Sequence, residues 1–124
     1  MHGTYYNCCN LTGAPVCGEK VTSMNWTYHN CFNLYGNMYM YSPNVTSMCY
    51  CFNGRNTSNR LNIYATSGSN TMTTLLYNNT SSLIGTNITW TDDTATNGCY
   101  YNTAANIYIY PVENVAAARA ANGD

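Results

Sequence analysis

The runs M-Y-M-Y at residues 38–41 and N-I-Y-I-Y-P-V at 106–112 change character at every residue, and this period of two constrains the fold more than any other feature. Successive side chains of an extended strand point to opposite faces, whereas a helix would scatter the same residues around its axis. Further runs of this kind are LNIYATS at 61–67, TMTTLLY at 71–77, TNITWT at 86–91 and GCYYN at 98–102. Tyr, Thr, Ile and Val dominate them, and Asn, Gly and Pro bound them, which predicts strands and turns. Ser42-Pro43-Asn44 predicts a turn between MYMY and VTSMCYCF at 45–52, so the two runs read as a hairpin. In that hairpin Val45, Ser47, Cys49 and Cys51 share one face, and Thr46, Met48, Tyr50 and Phe52 share the other. Asn53-Gly54 and Asn97-Gly98 mark further turns. Pro111 puts the last strand at a sheet edge or marks its end.

Strands spaced by about ten residues predict an all-β domain over residues 1–112, an antiparallel β-sandwich for which an immunoglobulin-like arrangement is one form. Residues 1–12 read as an extended N-terminal arm. The tail 113–124 differs: Asn114 is placed to cap a short helix over 115–121, with Asn122-Gly123 as its stop.

Seven cysteines, Cys8, Cys9, Cys17, Cys31, Cys49, Cys51 and Cys99, predict a disulfide-stapled framework in an oxidising compartment, with one thiol left over. Cys49 and Cys51, side by side on one strand face, are expected to bond to different partners. The close pairs C-C and C-Y-C lack the spacing of zinc ligands, and His2 and His29 stand apart, so no metal is expected. Asn-x-Ser/Thr triplets place glycan acceptors at Asn10, Asn25, Asn44, Asn56, Asn78, Asn79 and Asn87. Asn87 is the strongest, because strand alternation sets it opposite Ile88 and Trp90.

Charge is the second constraint. Asp, Glu, Lys and Arg make up 7% of the chain and the net charge is −1, against roughly a quarter charged residues in ordinary domains. Without a Lys/Arg cluster there is nothing to neutralise phosphates, which excludes nucleic acid and anionic membranes as partners. No apolar run reaches the roughly 20 residues of a membrane span, so no membrane insertion is expected. The start MHGTYYNCCN lacks the basic and apolar regions of a signal peptide, so the sequence reads as a mature form.

No convergent set of titratable groups suggests an enzyme or a cofactor. Asp92-Asp93 read as turn residues, with a weak Ca²⁺ site as the alternative, and His29 near Cys31 is a poor thiol site. Scattered Thr-x-Thr triplets lack the fixed repeat of an ice-binding face. The expected function is an extracellular structural subunit that assembles with copies of itself into a glycosylated filament or surface layer. Its joining segments are expected to be the N-terminal TYYNCCNL or an edge strand NIYIYPV. The alternative is a secreted carbohydrate-binding module, because thirteen Tyr with Trp26 and Trp90 could stack on sugar rings.

Overall fold

In a computed structural model the chain is described at Gly3, Thr12, Gly13, residues 16–78 and residues 83–124. Among the described residues eight strands form in chain order: β1 (Thr12–Gly13), β2 (Val16–Cys17), β3 (Asn33–Leu34), β4 (Gly36–Met40), β5 (Leu61–Thr66), β6 (Thr91–Asp93), β7 (Cys99–Asn102) and β8 (Ile107–Val112). A four-residue helix α1 (Asn70–Thr73) runs into a π-helical turn (Thr74–Asn78), and α2 spans Val115–Ala121. The main sheet has the order β2-β4-β5-β8-β7-β6, and β1 pairs separately with β3.

The first four strands of that sheet are parallel, β7 runs against β8, and β6 runs against β7 and so points the same way as the first four. The antiparallel sandwich is therefore corrected to one mixed sheet. Parallel neighbours cannot be joined by a tight hairpin. From β2 to β4 and from β4 to β5 the chain instead makes a full coil, so Val16, Tyr39, Tyr64 and Tyr110 stand side by side.

The far side of each coil carries stacked turns. Backbone N–H groups of Met24, Trp26, Tyr28 and Asn30 donate to the carbonyls of Ser47, Cys49, Cys51 and Asn53 at 2.8–3.0 Å. The predicted hairpin partner VTSMCYCF lies in this layer: its only strand-like contact is a parallel bridge from Ser47 to Ser23, and residues 49–54 are turns. Its buried residues are Val45, Met48, Cys51 and Phe52, a spacing that no strand produces. TMTTLLY is likewise helical. Ser69 accepts from the Met72 N–H at 3.2 Å as N-cap, and Met72, Leu75 and Leu76 turn inward at helical spacing.

Between sheet and turns lies one continuous core. The sheet contributes Met38, Met40, Leu61, Ile63, Ile107 and Ile109. The turns and the helical segment 70–78 contribute residues that recur every 24 positions: Met24, Met48 and Met72 in one row, Tyr28, Phe52 and Leu76 in the next. The Tyr28 and Phe52 rings are nearly parallel, 6.0 Å apart. NIYIYPV, expected at an edge, forms β8 in the sheet interior, between β5 and β7. It tolerates Pro111 because its even-numbered residues bond β5, as Leu61 N to Asn106 O and Ser67 N to Val112 O show. The missing N–H of Pro111 faces the β7 side, beyond the last β7 pair, Tyr100 with Ile109.

The disulfide framework is also corrected. Cys17, Cys31, Cys49, Cys51 and Cys99 are free thiols, while Cys8 and Cys9 lie outside the described residues. Cys17, Cys31 and Cys51 are fully buried in the core, where they pack as small apolar side chains. Burial pushes the Cys51 thiol far above its ordinary range and the Cys17 thiol in the same direction. Cys99 sits on the outer side of the sheet in β7, far along the strand order from β2 and its Cys17.

The coils are tied by Arg55, which is 7% exposed. Its guanidinium donates to the carbonyls of Leu34 (3.3 Å), Asn59 (2.5 Å), Ala105 (2.5 Å) and Asn106 (3.2 Å), which come from three successive coils. Burial pulls its pKa down to about 10, so it remains a cation at neutral pH.

Two outcomes follow. Replacing Arg55 by Met leaves buried carbonyls without donors and should lower unfolding stability by about 3 kcal/mol or more in urea titration. Among the described cysteines, thiol titration of the folded protein should modify half-buried Cys49 first, with Cys17, Cys31 and Cys51 reacting only on unfolding; recovery of disulfide-linked peptides among these residues would contradict the structure.

Candidate functional site on the outer face of the sheet

Strand alternation that buries Leu61, Ile63 and Ala65 turns Asn62, Tyr64 and Thr66 outward, and parallel register aligns like with like across strands. One row across the sheet is Tyr39, Tyr64 and Tyr110; these rings stack at 5.2 and 4.8 Å. A second row contains Asn37 and Asn62, whose amides bond at 2.9 Å, followed by Tyr108 and Tyr101, stacked at 5.4 Å. Arg60 closes over the Tyr108 ring at 3.5 Å. It also donates to Asn62 Oδ1 and to the Tyr110 hydroxyl, each at 2.7 Å.

Most ring faces in this array are covered by other rings. Tyr64 lies between Tyr39 and Tyr110, and Tyr108 lies between Arg60 and Tyr101. The tyrosine row stops at β7. There Cys99 continues the line beside Tyr110, with Asp93 of β6 paired beyond it. A thiol in place of another ring leaves a dip, and a cleft of about 520 Å³ opens there, lined by Arg60, Asp93, Asn97, Cys99, Tyr101 and Tyr110.

Electrostatically the cleft holds one cation and one carboxylate. Burial, and then the nearby Asp93 carboxylate, raise the Cys99 pKa, so the thiol is neutral and a poor nucleophile at pH 7. Burial also raises the Tyr110 pKa, although Arg60 pulls the other way. Asp93 accepts from Asn97 Nδ2 at 2.6 Å.

The other end of the array is covered by the C-terminal segment. Asn114 caps α2 by accepting from the Ala117 N–H at 2.9 Å, and α2 lies against β4 and β5. Asp124 accepts from Tyr39 Oη and from Asn37 Nδ2 (2.9 Å), while Asn122 Nδ2 donates to Tyr39 Oη at 3.1 Å. Tyr39 is thereby 6% exposed. Those two hydrogen bonds, Tyr39 first, hold the Asp124 carboxyl below its ordinary pKa.

Of the glycan acceptors, Asn44, Asn56 and Asn87 are exposed. Asn25 is half-buried, and its Oδ1 accepts from the Cys49 N–H (2.7 Å) and the Ser47 hydroxyl (2.6 Å), so it ties two coils together. Asn10 and Asn79 lie outside the described residues, as does the side chain of Asn78. Asp92 and Asp93 occupy successive strand positions and point to opposite faces. Asp92 accepts from the Thr94 hydroxyl (2.6 Å) and N–H (3.0 Å), which lowers its pKa; it stands in strand β6, next to the turn and not in it as the sequence suggested. Among the described residues no three His, Cys, Asp or Glu side chains converge as metal ligands. His29 packs edge-on to Trp26, and Cys31 is buried in the core. Thr71 is buried, with its hydroxyl donating to Ser42 O at 2.6 Å, so it forms no part of an exposed threonine face.

Arg60 and the cleft were missed by sequence reading, because Arg60 falls in a loop and the other residues that line the cleft come from 93–110. The signal within reach was the repeat itself: Val21-Thr22-Ser23-Met24 returns as Val45-Thr46-Ser47-Met48, 24 residues on, and implies stacked coils.

The depressed Asp124 pKa sets a pH dependence. A carboxylate whose folded pKa lies below its unfolded value contributes fully above the ordinary value of 3.8, and the contribution disappears as pH falls through the depressed value. Ring signals of Tyr39 and Tyr41 in NMR should therefore shift together below that pH, and Asp124→Asn should remove the transition. No family model matches the chain, and no curated protein or solved structure does either.

Proposed function

We propose that this chain is a structural domain of an extracellular assembly, built to stack with copies of itself in a filament or surface layer. The observation that supports this reading most is a coil stack with very little charge. Among the described residues β2 and β6 each have one strand neighbour and stand at the two ends of the sheet. Each coil buries its faces only against the next, and a stack of this kind can be extended by another copy without a new architecture. Strand exchange through NIYIYPV is withdrawn, since β8 is already hydrogen-bonded on both sides. Glycans at the exposed acceptors Asn44, Asn56 and Asn87 would supply the solubility that so few charges do not. The extracellular setting rests on those acceptors, since the described thiols are free.

A second reading, a carbohydrate-binding module, is favoured by one specific feature: the cleft that brings Tyr110, Tyr101, Arg60 and Asp93 together.

Electron microscopy and sedimentation across a concentration series test the first reading. End-to-end particles that lengthen with concentration are expected. Discrete monomers at the highest concentration would overturn it.

A further inference from the structure

We propose that the cleft at the end of the tyrosine row is a binding site for a neutral saccharide, with one sugar ring held among Tyr110, Tyr101 and Asp93; this rests on the carbohydrate-binding reading. Three observations carry it. First, the row Tyr39, Tyr64, Tyr110 stops at Cys99, so Tyr110 has a ring neighbour on its β5 side and only a thiol on its β7 side. Likewise Tyr101 stacks on Tyr108 through one face, and its other face points toward β6. Among the described residues neither of these faces has another ring on it, and both residues line the cleft. The apolar C–H face of a pyranose packs on such a surface.

Second, the polar groups around these rings combine both hydrogen-bonding roles. Arg60 is anchored through Nε and Nη2, which leaves Nη1 to donate. Among the described residues it pairs with no carboxylate. Asp93 is anchored through Oδ2 to Asn97, which leaves Oδ1 to accept. A fixed donor and a fixed acceptor suit vicinal hydroxyls, each of which donates and accepts. Third, the presence of Asp93 beside Arg60 selects against an anion: a sulfated or carboxylated sugar drawn to the guanidinium would meet the carboxylate. The volume of about 520 Å³ suits one or two sugar rings.

The wild-type protein is titrated with maltotriose, cellotriose and chitotriose, and with trigalacturonate as the acidic probe, following tyrosine fluorescence. Saturable binding of at least one neutral trimer at about millimolar strength is expected, with trigalacturonate weaker. Cys99→Phe continues the aromatic row into the dip, and Asp93→Asn removes the charge while keeping the shape. Each should weaken binding about ten-fold or more, while Tyr35→Ala, at an exposed position away from the cleft, should not change it. Circular dichroism confirms that each variant is folded. No saturable binding by any neutral trimer overturns both the site and the carbohydrate reading. Neutral binding that survives Cys99→Phe and Asp93→Asn overturns this site alone. Preference for trigalacturonate overturns the neutral-ligand assignment.

Discussion

A guanidinium buried without a carboxylate is the constraint on which the coil stack depends. Arg55 reaches the strand that ends the first coil at Leu34, the loop of its own coil at Asn59, and the entry to β8 at Ala105 and Asn106. Loops that end parallel strands leave carbonyls aimed at one another, and desolvating them without donors would cost about 1–3 kcal/mol each. One planar cation with five N–H groups satisfies carbonyls on three levels at once, which a lysine could not do with the same geometry. Its desolvation opposes folding, as the lowered pKa shows, and the charge-assisted hydrogen bonds offset it.

Around that clamp the repeat propagates in the backbone as well as in the core. Trp26 and Tyr50 both have left-handed backbone conformations, with φ of 59° and 53°, and they stand 24 residues apart. Asn30 and Gly54, with φ of 58° and 84°, stand at the same interval. A bulky residue at positive φ costs roughly 1–2 kcal/mol. Trp26 and Tyr50 hold it because their rings stack on each other at 4.5 Å and because the Trp26 N–H bonds to Cys49 O at 2.8 Å. At Gly54 a side chain is barred, since a Cβ there would lie 2.3 Å from Asn30 Oδ1.

The same stacking shapes the functional surface. Thirteen tyrosines in the sequence suggest a broad platform for sugars, but rings on adjacent parallel strands are about 5 Å apart and cover one another. Stacking along the sheet thus spends most of the aromatic area on cohesion and leaves open faces only where the row is interrupted. Cys99, read from sequence as a staple, matters for its small size: it ends the row. The weak charge of the surface is what supports the assembly proposed above, and in the cleft charge, hydroxyl and ring converge.

Period-two alternation and capping signals were readable in the sequence because they depend only on neighbours along the chain. LNIYATS and NIYIYPV form strands with the inward faces the alternation implies, and Asn114 starts the terminal helix. Alternation says nothing about the direction of the adjacent strand, so a parallel coil and an antiparallel sandwich share the same local pattern. VTSMCYCF alternates as a strand would, yet its backbone N–H and C=O groups find partners in the turns of the coil above, and TMTTLLY becomes helical where Thr71 and Thr74 can bond the backbone of Ser42 and Val45. Cysteine count measures how many thiols exist, whereas pairing requires that they meet; here the core needed small apolar groups at Cys17, Cys31 and Cys51. The sequence by itself determined which segments are extended and how little charge covers them. Only the tertiary structure decided which segments lie side by side, because that choice rests on hydrogen bonds and packing between separate segments, most of them more than 20 positions apart along the coils.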